Sequence, residues 1–261
     1  MTERLIVEKR GPIGWIVFNN PEKRNAVSID MWEALSPALE RFAADEEVRA
    51  IVLAGAGDKA FVSGADISQF EKDRSSSEGV QRYEEIAERA QGLLYHYDKP
   101  TIAMIRGYCL GAGVNIALCC DLRIAADDAR LGVPAAKVGL GYRVSSTKNL
   151  VDTIGPAYTR EMLITARQFT AQEAKEMGLV QRVVPVTGLQ STVDELCATI
   201  AANAPLTMST AKLITRELLK SPASFNEAAC KAAVTRCFES EDYREGRRAF
   251  MEKRKTAFRG R

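Results

Sequence analysis

The pattern of apolar and polar positions changes character along the chain. In the first half, short apolar runs bounded by turn residues predict β-strands, at Leu5–Lys9, Ile13–Phe18, Ala50–Ala54, Thr101–Arg106 and Leu122–Ala125. Between these runs, apolar residues recur at helical spacing and predict helices after Ser28, a good N-cap residue, and over Val80–Tyr97 and Ala112–Cys120. Strands and helices therefore alternate through residue 126, which predicts an α/β core.

From Ser145 onward the pattern becomes almost wholly helical. Helices are predicted at residues 145–154, 157–164, 171–177, 189–203, 206–219, 224–238 and 242–256. Only Val180–Val184 interrupts them with a strand pattern. We expect two parts, an α/β core over residues 1–190 and a helical C-terminal segment over residues 191–261, a kind of segment that often serves assembly.

Composition narrows the class of protein without naming a reaction. The 261 residues are 46% hydrophobic, which suffices for a sizeable core, and the formal net charge is only +2, from 36 basic and 34 acidic residues. This balance gives no reason to expect nucleic acid as a partner. The six cysteines show no C-x-x-C spacing, so we expect reduced thiols in a cytoplasmic protein. With no long apolar run at the N-terminus or elsewhere, we expect neither a signal peptide nor a membrane partner.

Two familiar kinds of site find little support. Gly111-Ala112-Gly113 follows a strand pattern and opens a helix pattern, but the third glycine of a dinucleotide-binding turn would fall at Ile116. The single histidine, His96, has no partners in the pattern that a catalytic triad or a metal site would need. We therefore expect no bound metal and no dinucleotide.

Two short segments of similar design indicate a third kind of chemistry. Ser63-Gly-Ala-Asp66 and Gly111-Ala-Gly-Val114 each place small residues directly after a strand pattern. Brought together, two such turns would aim two backbone N–H groups at one oxygen, as an oxyanion hole does for charge that develops during a reaction. From the pattern alone, two ordinary tight turns explain the same residues equally well.

The order of several segments resembles the crotonase superfamily, the enoyl-CoA hydratase/isomerase family. The matching segments cover nearly the whole chain, at residues 20–26, 61–67, 99–103, 107–113 with 120–121, 171–180, 240–246 and 252–258. The resemblance implies a spiral of ββα units followed by helices that build a homotrimer or a dimer of trimers. It also implies an acyl-coenzyme A substrate, with no cofactor beyond the coenzyme A of that substrate.

The same resemblance implies roles for individual residues. The thioester oxygen would be held by the backbone N–H groups of Ala65 and Ala112, where alanine suffices because only the N–H is used. The coenzyme A path would be lined by Lys23, Arg24, Ala26, Ser63, Ala65, Asp66 and Ile67. Lys255 and Phe258 resemble a tail that covers coenzyme A, sometimes from a neighbouring subunit.

The chain departs from the family where the family's hydratases carry two glutamates that move protons. Asn115 and Ala135 occupy these positions, at the usual interval of twenty residues (135 − 115 = 20). Asparagine does not titrate near neutral pH and alanine has no polar group, and one acid–base group typically contributes about 10²–10⁴-fold. The enzyme is expected to be a lyase or isomerase of this family in which the usual hydration is disfavoured.

Tyr142 and Arg143 stand where the family usually has small residues. A tyrosine here resembles the methylmalonyl-CoA decarboxylases of the superfamily, in which Tyr142 would hold a departing carboxylate and Arg143 would bind it with two hydrogen bonds. Those decarboxylases have a histidine at the position of Ala65, and Tyr142 could equally form an apolar wall. Decarboxylation, double-bond isomerisation, C–C hydrolysis and non-catalytic acyl-CoA binding all remain open from the sequence.

Overall fold

The computed structural model describes residues 2–66 and 77–261. Ten strands lie in these residues, at Leu5–Arg10 (β1), Ile13–Phe18 (β2), Ala50–Gly55 (β3), Ala60–Val62 (β4), Thr101–Ile105 (β5), Tyr108–Leu110 (β6), Leu122–Ala126 (β7), Arg130–Gly132 (β8), Phe169–Thr170 (β9) and Arg182–Val184 (β10). The strands predicted from apolar runs are confirmed. The short strands β6, β8 and β9 were missed, because two or three residues are too few to show a period.

Nine α-helices lie in the same residues, at Ile29–Ala44 (α1), Ser77–Tyr95 (α2), Ala112–Cys119 (α3), Val144–Thr165 (α4), Ala171–Glu176 (α5), Leu189–Ala201 (α6), Pro205–Leu218 (α7), Glu227–Glu239 (α8) and Glu241–Glu252 (α9). The predicted helices at 145–154 and 157–164 form one stretch, α4, with a break at Gly155, where φ is +70°. Ser28 is the N-cap residue of α1 as predicted, but its hydroxyl donates to the Asp30 carboxylate and does not accept a backbone N–H.

The strands form two sheets, and their order along the chain shows the repeating unit. The larger sheet has the order β1-β2-β3-β5-β7-β10 and the smaller has the order β4-β6-β8-β9. The pairs β2–β3, β3–β5, β5–β7 and β7–β10 are parallel, whereas β1–β2 is an antiparallel hairpin. Three times in succession, a strand of the larger sheet is followed by a strand of the smaller sheet and then a helix: β3-β4-α2, β5-β6-α3 and β7-β8-α4. This succession is a spiral of ββα units.

Both faces of the larger sheet are covered. One face packs with α1, α2 and α3 into the main core, which includes the fully buried Trp32, Phe42 and Phe61. Helix α6 covers the other face, where Val193 and Cys197 pack with residues of the sheet. This helix begins at residue 189 and so spans the position where the sequence pattern suggested that the α/β core ends.

All six cysteines are free, and all except Cys237 are buried. Burial raises the pKa of the Cys119 thiol to about 12, so this side chain stays protonated at neutral pH. Within residues 2–66 and 77–261, no helix is both long and apolar enough to cross a membrane.

Candidate active site

The two small-residue turns lie against each other in the structure. Gly64 has φ of +126° and Gly111 has φ of +53°, conformations that favour glycine. A Cβ built on Gly111 would lie 3.8 Å from the Gly64 Cα, at ordinary van der Waals distance, so the two turns are in contact. A Cβ built on Gly113 would lie 2.2 Å from the Val62 carbonyl oxygen, so the start of α3 packs directly on the end of β4. Glycine at these positions therefore allows the two backbones to meet.

Each turn presents one alanine N–H that donates no hydrogen bond to any described residue. The Val27 N–H donates to the Gly64 carbonyl (2.8 Å) and the Asp66 N–H donates to the Val27 carbonyl (2.9 Å), so both neighbours of Ala65 are held. Ala112 is the first residue of α3, where an N–H has no partner within its helix. Among the described residues, neither the Ala65 N–H nor the Ala112 N–H donates a hydrogen bond.

Both alanines line one cavity of about 370 Å³, together with Ser63, Asn115, Ala135, Tyr142 and Arg143. Its walls are mostly apolar; Trp32, Ala87, Val133 and Leu140 contribute to them. The structure thus brings together all six residues that the sequence analysis placed at the candidate catalytic positions, including Asn115 and Ala135 at the positions of the family glutamates. A mostly apolar cavity with a few converging polar groups is the usual form of a small-molecule site.

The two positions of the family glutamates carry no acid–base group in this cavity. Asn115 is buried on α3, and its Nδ2 donates to the Gln91 Oε1 over 2.5 Å. Its Oδ1 has no hydrogen-bond partner among the described residues. Ala135 lies in the 3₁₀ turn Pro134–Val138 and contributes only a methyl group.

Tyr142 brings a buried hydroxyl to the cavity. Its Oη has no hydrogen-bond partner among the described residues, which is rare for a buried polar atom. Burial raises the pKa of Tyr142, so the hydroxyl is a neutral hydrogen-bond donor at physiological pH. The nearby Ser146 hydroxyl opposes that rise, but its geometry falls short of a hydrogen bond to the Oη.

Arg143 and Glu84 face each other at the cavity wall. The Arg143 Nε lies 3.8 Å from the Glu84 Oε1, and the Glu84 side chain is 45% exposed. Glu84 is the only acidic residue among the described residues that line the cavity. An exposed pair at this distance contributes little to stability, so both side chains remain available to a ligand.

Sequence reasoning missed the two polar residues that α2 contributes, Glu84 and Gln91. They lie seven residues apart, two turns of a helix, with Ala87 between them on the same face. That face also buries Tyr83, to which the Trp32 Nε1 donates over 2.9 Å. Two polar residues on an otherwise core-facing helical stripe were the signal that could have identified them.

The residues predicted along the coenzyme A path divide into two groups. Lys23 lies beside the first turn, where its Nζ is 2.9 Å from the Asp66 Oδ2, and the Ser63 Oγ donates to the Lys23 carbonyl over 3.3 Å. Arg24 lies over the ring of Tyr108, 4.8 Å from its centroid, and Ala26 is buried. Ile67 lies outside the described residues.

The tail residues form the second group. Phe258 lies against Gly246, and its carbonyl accepts from the Arg49 Nη2 over 2.6 Å. Lys255 is exposed. Neither residue is among those lining the cavity of Ala65 and Ala112, so a covering role for this tail stays a prediction about an assembly of chains.

Among the described residues, no three His, Cys, Asp or Glu side chains are grouped so that they could hold a metal ion. The described residues of the site offer backbone N–H groups, amides, serine and tyrosine hydroxyls and one Arg–Glu pair. This set suits a neutral or anionic oxygen-bearing ligand.

Comparison with known proteins points in the same direction as the geometry. Residues 8–261 match the profile of the enoyl-CoA hydratase/isomerase family. The chain is 33% identical to the short-chain-enoyl-CoA hydratase of Clostridium acetobutylicum over 251 residues, covering 96% of this chain and 95% of that protein.

Solved structures agree. An enoyl-CoA hydratase from Bacillus anthracis has a TM-score of 0.93 and 30% identity, covering 99% of this chain and all of that one. An enoyl-CoA hydratase/carnithine racemase from Magnetospirillum magneticum has a TM-score of 0.92 and 32% identity, covering 100% of this chain and 97% of that one. The crotonase-type α/β fold is thereby confirmed.

Proposed function

We propose, from the premise that this chain belongs to the enoyl-CoA hydratase/isomerase family, that it decarboxylates a malonyl-type acyl-CoA thioester. One observation carries the proposal. Two backbone N–H groups and a buried phenol line the same cavity and have no hydrogen-bond partner among the described residues, while neither Asn115 nor Ala135 supplies a proton-transferring group.

The binding step follows from the two turns. The Ala65 and Ala112 N–H groups would donate to the thioester carbonyl oxygen, and their hydrogen bonds would strengthen as that oxygen gains negative charge. Ala112 also begins a helix, whose partial positive charge at the N-terminus favours an anion there. Lys23 and Arg24, beside the first turn, would meet the phosphates of coenzyme A.

The chemical step needs no carboxylate base. The bond between the α-carbon and the carboxylate breaks, carbon dioxide leaves, and the electron pair enters the thioester as an enolate held by the two N–H groups. A proton from solvent then adds to the α-carbon. Tyr142 would donate to the substrate carboxylate and Arg143 would orient it, while apolar walls such as Trp32 and Val133 limit its hydration.

A second candidate function is hydration through a different carboxylate. The relatives named above are called hydratases, and Glu84 supplies one carboxylate to the cavity. In this alternative, Glu84 would take a proton from water in place of the family's glutamate pair.

Two assays separate the candidates. Malonyl-CoA and methylmalonyl-CoA are supplied in turn and carbon dioxide release is measured, and crotonyl-CoA is supplied and loss of its double bond is followed. We expect release of carbon dioxide from a malonyl-type thioester, and hydration at least about 10²-fold slower than decarboxylation. Robust hydration that Glu84→Gln abolishes would instead establish the second candidate. Binding of acetyl-CoA without turnover of any thioester would contradict both and leave a non-catalytic acyl-CoA-binding protein.

A further inference from the structure

A second cavity lies directly behind the one that contains Ala65 and Ala112. Its volume is about 360 Å³, close to the 370 Å³ of the first. Gln91 and Asn115 line both cavities. These two side chains therefore stand as a wall between the spaces, which we call the amide partition.

The amide partition is held in place from two helices. Gln91 belongs to α2 and Asn115 to α3, and the hydrogen bond between their side chains is 2.5 Å long. Residue exposure is 9% for Gln91 and 4% for Asn115. Swinging either amide aside would break a buried hydrogen bond and leave two buried polar groups unpaired, which is costly.

The two sides of the partition differ in chemistry. Both cavities have mostly apolar walls, but Lys148, Arg216 and Lys220 line the second, whereas Arg143 is the one cationic side chain that lines the first within the described residues. Lys148 pairs with Asp152 and Lys220 pairs with Glu217, each over 2.5 Å.

Arg216 is the exception among these cations. It donates to the Tyr95 carbonyl over 3.4 Å and has no carboxylate within ion-pair distance in the described residues. Burial lowers the pKa of His96 in the same cavity, and the charges of Arg216 and Lys220 lower it further. Glu88 is the one acidic residue that lines this space within the described part of the chain. Among its described lining residues, the second cavity therefore has three cations and one carboxylate, and Arg216 is the one of these cations that has no carboxylate partner there.

We propose that the amide partition is the specificity determinant that ends the acyl-binding cavity and excludes acyl chains long enough to reach the cationic cavity. The inference rests on the acyl-CoA binding proposed above and deepens it by naming the substrate class as short-chain acyl thioesters. A chain that stops before the partition buries its methylenes against apolar walls, and each buried methylene raises affinity about fourfold. A longer neutral chain would have to break the amide pair before it could enter the second cavity, which is lined by three cationic side chains.

Acyl-chain length is the variable that tests the proposal. Dissociation constants of saturated acyl-CoAs, from acetyl-CoA upward in steps of two carbons, are measured by calorimetry for the intact chain, so that no turnover is needed. We expect affinity to rise with the number of acyl carbons up to a certain length and to stop rising beyond it; we call this length the break. Gln91→Ala removes half of the partition and moves this break by at least two carbons, with about tenfold tighter binding of the first excluded chain. Asn115→Ala removes the other half from a different helix and should move the break in the same direction.

Gln81→Ala is the matched control, because Gln81 is an exposed glutamine on the same helix, bonded to Glu85 over 2.9 Å. Its length profile should equal that of the unaltered chain. If both partition variants fold and bind acetyl-CoA but keep the original break, or if Gln81→Ala moves it equally, the proposal is wrong. Failure of the unaltered chain to bind acetyl-CoA would instead refute the proposed function.

An acyl-CoA with a carboxylate at the end of its acyl chain tests whether a longer acyl chain enters the second cavity. In Gln91→Ala, a dicarboxylic acyl-CoA should bind about tenfold tighter than the neutral acyl-CoA of the same carbon count, since Arg216 has no carboxylate partner among the described residues. Adding Arg216→Gln should remove this advantage, and Arg216→Lys should keep most of it. Equal affinities for the charged and neutral chains in Gln91→Ala would contradict the assignment of the second cavity.

Discussion

The two ends of helix α3 treat polar groups in opposite ways. At its start, the Ala112 N–H, the Asn115 Oδ1 and the nearby Tyr142 Oη have no hydrogen-bond partner among the described residues. At its end, the buried Arg123 donates to the carbonyls of Ala117, Cys120 and Leu179 over 3.3, 2.6 and 2.7 Å. The two environments are only two turns of helix apart.

The region beyond the helix end is equally well paired. Asp121 Oδ2 accepts from the Thr101 N–H and from the Lys212 Nζ, over 2.7 and 2.6 Å. Buried polar groups in native proteins are nearly always paired, so a cluster of unpaired ones needs another explanation. The contrast indicates that the end of α3 serves the fold, whereas its beginning is arranged for a ligand.

The largest expected effect comes from removing one N–H at the unpaired end. Proline is tolerated as the first residue of a helix, so Ala112→Pro should delete the N–H with little loss of stability. We expect kcat to fall about 10²–10³-fold, as for other oxyanion-hole donors, while the thermal midpoint changes little. Turnover of the accepted thioester and a thermal melt give the two readouts.

Glu227→Pro is the control for this substitution, because Glu227 begins the exposed helix α8 in the same position. It should leave turnover unchanged. An Ala112→Pro protein that melts normally and retains full kcat would refute the assignment of the Ala112 N–H.

The paired end should show the reverse behaviour. Arg123→Met would leave the Cys120 and Leu179 carbonyls without their side-chain donor, while the Ala117 carbonyl keeps the Cys120 N–H. We expect a cost of about 2–4 kcal/mol in the free energy of unfolding, partly offset because burial disfavours the guanidinium charge. Urea denaturation measures this cost, and acetyl-CoA affinity of the folded protein should be unchanged.

Arg160→Met, on the exposed side of α4, is the matched control and should alter stability by less than about 0.5 kcal/mol. If Arg123→Met and Arg160→Met were equally stable, the hydrogen bonds of Arg123 at the end of α3 would not contribute to the stability of the fold.

Two tyrosines, Tyr97 and Tyr142, allow paired and unpaired buried hydroxyls to be compared directly. The Tyr97 Oη donates to the Leu39 carbonyl over 2.9 Å, whereas the Tyr142 Oη has no hydrogen-bond partner in the described part of the chain. We expect Tyr97→Phe to lose about 1 kcal/mol of stability and Tyr142→Phe to lose none or to gain about 1 kcal/mol, because it removes an unpaired buried hydroxyl. Chemical denaturation of both variants measures the difference.

The same pair of variants should differ in activity in the opposite sense. Tyr142→Phe should slow decarboxylation about 10–100-fold, through loss of a hydrogen bond to a charged group, and Tyr97→Phe should not. Undiminished decarboxylation in Tyr142→Phe would remove Tyr142 from the mechanism and leave it as a wall of the cavity.

Much of the site was visible in the sequence because it consists of backbone. Small residues after a strand, in Ser63–Asp66 and Gly111–Val114, left an oxyanion hole and two ordinary tight turns equally open. The family resemblance, which the comparisons confirm, implied that these turns present the two N–H groups. The substitutions at Asn115 and Ala135 were also plain from their interval. Features of this kind can be identified from the sequence because each depends on a few adjacent residues.

The sequence by itself determined the alternation of strands and helices, the family, the two turns and the absence of the usual glutamates, since each is encoded by neighbouring residues. Only the tertiary structure decided which distant side chains meet. Gln91 and Asn115 lie 24 positions apart and bond across two helices, and Glu84 faces Arg143 over 59 positions. A helical period shows which face of a helix is apolar, but the partner of a polar residue on that face depends on how whole elements pack. The amide partition, and the C-terminal end of α3 with its fully hydrogen-bonded polar groups, both result from that packing.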